Sequence, residues 1–133
     1  MLYMLDTCIC VEYLRGRNER LRRKINSYDS KSIKLPVIVA AELLHGAYHS
    51  KRVAENLKDT MDFIAIFEVV SFGVAEADAY AKIRSSLERK GLIISDNDMF
   101  IAATALLRNA TLVTNNTREF SSIDGLKLDD WTL

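Results

Sequence analysis

Four acid or amide side chains, Asp6, Glu42, Asp98 and Asn116, stand where apolar runs meet helical patterns. Asp6 ends the apolar run 2–5, and Thr114-Asn115-Asn116 ends the run that begins at Thr111. In an open parallel sheet functional groups collect at the carboxyl ends of the strands, which puts both positions on one rim. Asp98 opens a helix, where the positive end of the macrodipole favours a carboxylate. Glu42 lies in the first half of the helix that leaves the second strand, among Val39, Ala40, Ala41, Leu43 and Leu44. The four can therefore converge from distant segments. Carboxylates brought together repel one another, and their pKa values rise unless a cation neutralises them. Mg²⁺ and Mn²⁺ suit such a site, taking a few carboxylate oxygens plus waters and leaving room for substrate phosphates. One or two such ions can activate a water and stabilise the leaving oxygen of a phosphodiester. Each acid also has a plainer use: Asp6 and Asp98 as turn or cap residues, Glu42 on a solvated helix face.

The elements that must position these groups follow from periodicity. Residues 2–5 form a first, buried strand. Thr7 can cap a helix through Ile9, Val11, Tyr13 and Leu14 that stops at Arg15-Gly16, and Asn18 can start another with Leu21 and Ile25 on its inner face. Residues 33–38 read as a second strand running through Pro36, and 39–49 as a helix. Val53, Leu57, Met61 and Ile64 recur at helical spacing, so 51–65 is an amphipathic helix. After a short strand at 67–72, Ala77, Tyr80, Ala81, Ile83 and Leu87 line a helix that Gly91 can end. Arg84 projects into that arc, either snorkelling from its edge or pairing with an acidic cluster. Asp96-Asn97-Asp98 supplies the cap and first-turn carboxylates of the next helix, 111–114 is a strand, and 127–131 a last edge strand. Strands alternating with helices give an α/β fold, a parallel sheet with helices on both faces.

The chain has 133 residues, 49% of them apolar, with 5 Gly and 1 Pro. That is one domain, 1–133, with a real core and without the turn density of a β-sandwich. Lys plus Arg and Asp plus Glu number 18 each, so no global field draws the protein to polyanions and any nucleic-acid contact needs a local patch. One is available: Arg15, Arg17, Arg20, Arg22, Arg23 and Lys24 share a ten-residue stretch with Glu19 as its only acid. It can face phosphates or form a solvated helix face. Cys8 and Cys10 are too close to staple a fold and too few for a zinc site. The N-terminus meets a carboxylate after five residues and has no basic segment before its apolar run, which argues against a secretory leader or membrane span and for the cytoplasm.

Four segments carry a resemblance. Tyr3-Met4-Leu5-Asp6-Thr7-Cys8-Ile9, Ala40-Ala41-Glu42-Leu43-Leu44-His45-Gly46-Ala47, Asn97-Asp98-Met99-Phe100-Ile101-Ala102-Ala103 and Leu112-Val113-Thr114-Asn115-Asn116-Thr117-Arg118-Glu119-Phe120 resemble, in order, the signature blocks of PIN-domain ribonucleases. With the ending Leu128-Asp129-Asp130-Trp131-Thr132 they are similar to the VapC toxins of bacterial type II toxin–antitoxin modules. The resemblance implies a PIN-like, Rossmann-like sheet of four to five parallel strands and a Mg²⁺-dependent endoribonuclease, with Mn²⁺ able to substitute. It also implies Asp6, Glu42 and Asp98 as metal-site residues and Asn116 at the position where many members have a fourth acid. Either Glu119 compensates for that amide or the fourth position acts through water. Cys8 replaces the asparagine usual after Asp-Thr, and Asp96 adds a carboxylate near Asp98 that binds metal or caps the helix. The implied substrate is a structured RNA, tRNA or ribosomal RNA, the similarity being greatest to members that cut initiator tRNA. The implied partners are a VapB-type antitoxin and a second copy of the chain, in a larger assembly.

Other readings fit less of the chain. Glu42, His45 and His49 share a helix at metal-binding spacing, but Gly46 stands where a zinc protease needs Glu and no third ligand is evident. A phosphoacceptor receiver needs an acidic pair after the first strand, where this chain has Asp6-Thr7. A degenerate PIN domain that binds RNA or protein without cutting is the alternative that Asn116 motivates.

Overall fold

The computed structural model describes residues 1–133. Five short strands, β1 (Tyr3–Leu5), β2 (Ile33–Pro36), β3 (Glu68–Val70), β4 (Thr111–Val113) and β5 (Lys127–Asp129), pair in parallel in the order β3-β2-β1-β4-β5. β1 stands in the middle, Tyr3 in register with Ile33 on one side and Thr111 on the other. Its Met4 and Leu5 are buried completely, as a continuous apolar run in a doubly covered sheet requires. The chain steps from β1 to β2 to β3 and then reverses to β4 and β5. Right-handed crossovers therefore put α1 (Thr7–Arg15), α2 (Glu19–Ser27), α3 (Val37–Tyr48) and α4 (Val53–Ala65) on one face. By the same rule α5 (Val74–Arg89), α6 (Asp96–Leu107) and the single turn α7 (Thr117–Phe120) lie on the other. The reversal falls between β1 and β4, where a crevice opens beyond their carboxyl ends. No helix is long and apolar enough to cross a membrane.

Local chemistry sets the boundaries, with several differences from the sequence reading. Asp6, not Thr7, caps α1: its carboxylate accepts the Thr7 N–H at 2.8 Å, so Thr7 is already helical. Gly16 ends that helix in the left-handed region at φ 70°, donating its N–H to the Tyr13 carbonyl. Asn18 caps α2 as expected, and Leu21 and Ile25 are buried. Pro36 closes β2 two residues early, because its missing N–H and fixed φ suit the entry to α3. On α4 the buried residues are Thr60 and Phe63, whereas Val53 and Met61 are exposed. Phe63 turns the helix toward the core by packing on Tyr13 at 5.1 Å and Phe67 at 5.1 Å. On α5, Ile83 and Leu87 face inward while Ala77 and Ala81 face solvent. Ser95 caps α6 by accepting the Asp98 N–H at 3.2 Å, which places Asp96 and Asp98 in the first turn.

The core is one cluster of 27 buried apolar residues that unites both layers. Each fully buried Leu, Ile or Phe contributes about 1.5–3 kcal/mol relative to exposure. Glu76 is the one buried carboxylate besides Asp6. It accepts the Gly73 N–H at 2.7 Å at the foot of α5 and pairs with Arg108, after α6, at 3.0 Å.

Candidate active site

Asp6 lies one residue past β1 and is only 5% exposed. Its N–H bonds the Val113 carbonyl at 2.9 Å, which ties the β1 exit to β4. One carboxylate oxygen takes the Thr7 N–H; the other accepts from the Thr114 hydroxyl at 2.7 Å and from the Cys8 thiol at 3.3 Å. Thr114 itself accepts the Asn116 N–H at 3.0 Å, so its hydrogen is committed to Asp6. This buried carboxylate is held in one orientation by three donors from two strand ends.

Glu42 reaches the same depression from the second turn of α3. Its Oε1 accepts from the Thr7 hydroxyl at 2.7 Å. Asp98 enters from the first turn of α6. Burial pushes its carboxyl above the ordinary Asp value, reinforced by the charge of Asp6 and then of Glu119 and Glu42, against a hydrogen bond with Ser95. Asn116, past β4, donates its amide to Glu119 Oε2 at 2.6 Å. The open depression holds about 430 Å³ and is lined by Asp6, Thr7, Cys8, Glu42, Asp98, Asn115 and Asn116.

The four residues read from sequence thus meet on one rim, while two neighbours divide. Asp96 turns away, accepting from the Tyr80 hydroxyl at 3.0 Å with Arg84 at 3.8 Å. Arg84 accordingly forms an ion pair instead of snorkelling, and also bonds the Tyr80 hydroxyl at 2.9 Å. Glu119 joins the site through Asn116 and is the third negative charge, with Asp6 and Glu42, that bears on Asp98. Cys8 lies inside the site, its thiol pushed up to about 11 by burial and by the Asp6 charge. Sequence reasoning missed the Thr7 hydroxyl, because a Thr after a strand-ending Asp reads as a cap and nothing local points it at an acid 35 residues on.

No three His, Cys, Asp or Glu side chains form a ready-made cage for an ion. The donor set nevertheless fits a hard cation: all-oxygen, anionic and open, it can give Mg²⁺ one or two carboxylates while waters complete the shell. His45 and His49, both exposed at the end of α3, stack at 5.9 Å without a third ligand, and zinc chemistry gains no support.

Residues 3–126 match the PIN domain family. The chain is 38% identical over 132 residues to "Ribonuclease VapC2" of Rickettsia felis, covering 98% of each protein. It is 32% identical over 130 residues to the "tRNA(fMet)-specific endonuclease VapC" of Shigella flexneri, again covering 98% of each. The fold superposes on the crystal structure of VapBC2 from Rickettsia felis bound to a promoter DNA fragment with a TM-score of 0.92 at 38% identity, covering 98% of this chain and 99% of that one. The chain belongs to the PIN-domain family, in its VapC ribonuclease branch.

Proposed function

We propose that this chain is a Mg²⁺-dependent endoribonuclease toxin that cuts a structured RNA, with tRNA, and initiator tRNA in particular, as its target. The observation that carries the reading is the convergence of Asp6, Glu42 and Asp98, with Glu119 behind Asn116, on one open depression at the switch between β1 and β4. Asp6, Glu42 and Asp98 would hold the ion, and Mn²⁺ should substitute for Mg²⁺ because both are hard, octahedral cations. A bound Mg²⁺ there supplies a water of lowered pKa and charge stabilisation at the scissile phosphate. The chain's own groups set the geometry: Thr114 and Cys8 fix Asp6, Thr7 fixes Glu42, and Asn116 fixes Glu119. No His or Lys lines the depression to act as a general base. The tRNA target is supported by the similarity to the Shigella flexneri endonuclease. The alternative, a binding module without cleavage, rests on Asn116, and Glu119 supplies the charge that the amide lacks.

The same reading gives the chain a VapB-type antitoxin, supported by the solved VapBC complex, and a homodimeric state within a larger assembly in the cytoplasm. A groove of about 470 Å³ between α1, α3 and α4, lined by Val11, Leu14, Leu43 and Ala47, runs to Glu42. An apolar segment lying there would reach the acidic rim, where a basic side chain can pair with the carboxylates and displace the metal's charge. The test is cleavage of purified tRNA with Mg²⁺, Mn²⁺ or EDTA, with 5′-end sequencing of the fragments and an Asp6→Asn control. Full activity in EDTA would refute metal dependence. Inhibition by the antitoxin should weaken as Mg²⁺ is raised.

A further inference from the structure

α2 points most of its charge outward, and little of it is answered. Of the six cations between residues 15 and 24, only Arg23 has a carboxylate in reach, Glu19 at 3.5 Å, and both partners are well exposed. Arg22 is spent locally, its guanidinium 5.1 Å from the centre of the Tyr13 ring. Lys24 is placed: its ammonium lies 5.6 Å from the Tyr28 ring and 5.8 Å from that of Trp131, and those rings stack 5.0 Å apart at 4°. Trp131 is 3% exposed, and its Nε1–H donates to Asp129 at 3.1 Å. The Asp129 carbonyl accepts the N–H of Thr114, the residue that holds Asp6. An unbroken chain of contacts therefore runs from the acidic rim to Lys24.

An open cleft of about 580 Å³ lies between α2 and the segment after β5, bordered by Arg20, Arg23, Lys24 and Trp131. Asp129 and Asp130, on the opposite wall, are engaged by Trp131 and by the Thr132 N–H and hydroxyl. We propose that this cleft is a second RNA-binding site, in which Arg20, Arg23 and Lys24 take backbone phosphates of a structured RNA whose scissile phosphate lies at the acidic rim. The proposal rests on the ribonuclease reading. A chain of zero net charge with a carboxylate-lined site needs a local basic patch to hold a polyanion anywhere beyond the phosphate at the rim. RNA fits better than a peptide because the cleft offers cations at i, i+3 and i+4 of one helix and only Trp131 and Leu133 as apolar lining residues. It also opens on the edge of the sheet that carries the rim, one strand beyond β4.

The test compares wild type with Arg20→Gln/Arg23→Gln/Lys24→Gln. Affinity for tRNA is read by fluorescence anisotropy across a salt series, both proteins carrying Asp98→Asn to prevent cleavage. Loss of three phosphate contacts should weaken binding roughly tenfold or more near physiological salt and flatten the slope of log K against log salt by about 2. With Asp98 restored, cleavage of a short single-stranded oligonucleotide, too small to reach the cleft from the rim, should fall less than cleavage of tRNA does, and the circular dichroism spectrum should remain that of a folded protein. Should the triple variant fold poorly, Arg20→Gln and Arg23→Gln singly should each flatten the slope by about 0.8. Wild-type affinity and slope in the variants would overturn the proposal while leaving the ribonuclease reading intact. Weakened antitoxin binding with intact RNA binding would overturn it in favour of a protein-facing surface. Wild type that cleaves neither RNA in Mg²⁺ would remove the ribonuclease reading itself.

Discussion

The Thr7 hydroxyl donates to Glu42 Oε1 at 2.7 Å, so the residue that follows one acid of the rim orients another acid 35 positions away. The α1 cap uses the Thr7 N–H and leaves the hydroxyl free for this task. Thr7→Val keeps the cap and frees Glu42 to rotate. Turnover should fall roughly 10- to 100-fold, the scale for groups that orient metal ligands. Thr7→Ser should retain most of it. Equal rates for the Val and Ser variants, measured on purified tRNA, would show that Glu42 needs no such support.

Asp98 stands among three like charges with its carboxyl pushed up by burial and by Asp6. Asp98→Asn removes repulsion that protonation or a bound cation would otherwise relieve. Cleavage should drop at least roughly 100-fold, as when one preorganised transition-state contact is lost. The metal-free variant should melt higher than metal-free wild type. A lower melting temperature would mean that the carboxylates do not strain the fold.

Asn116 and Glu119 act as a pair at 2.6 Å, with Glu119 providing the charge. Glu119→Gln should therefore reduce cleavage assayed in Mg²⁺ more than Asn116→Ala does. Asn116→Asp should also lower it, since a second carboxylate would face Glu119 at hydrogen-bonding distance. Raised activity in Asn116→Asp would reassign the fourth acid to position 116.

Glu76 gives an acid-side stability prediction far from the rim. The Gly73 N–H, and after it Arg108, hold its carboxyl below the ordinary value of 4.5 despite burial. A carboxyl lowered by folding stabilises the native state above its unfolded pKa, and that contribution disappears as pH falls through the folded value. Glu76→Gln should melt below wild type at pH 7, and the two curves should converge as pH falls below the ordinary Glu range through the lowered native pKa. A gap independent of pH would show that packing, not charge, is what Glu76 supplies.

The layout of the site was legible because it depends on short-range signals. Apolar runs ending at Asp6 and Thr114 mark strand ends, and strands alternating with helices force those ends onto one edge. What tertiary contact decides was not legible. The apolar stripe of α4 predicts Val53 and Met61 inside, yet the rings of Tyr13 and Phe67 draw Phe63 inward and rotate the stripe partly into solvent. Arg22 has the same local pattern as Arg20 and Arg23, and only the Tyr13 ring beneath it removes it from the basic face. Ser95 outcompetes Asp96 as a cap because its hydroxyl meets the Asp98 N–H, a choice of one residue that propensity does not resolve.

The hydrogen bond from Thr114 to Asp6 spans 108 residues, and that span sets a clock on translation. A ribosome adding ~5–20 residues per second needs roughly 5 to 20 s to go from the first of these residues to the second. During that interval Asp6 has neither β4 beside it nor Thr114, Asn116 and Glu119 at its rim. A nascent chain stalled short of Thr114 should be unable to cut RNA, so the ribonuclease gains its site only when synthesis is nearly done.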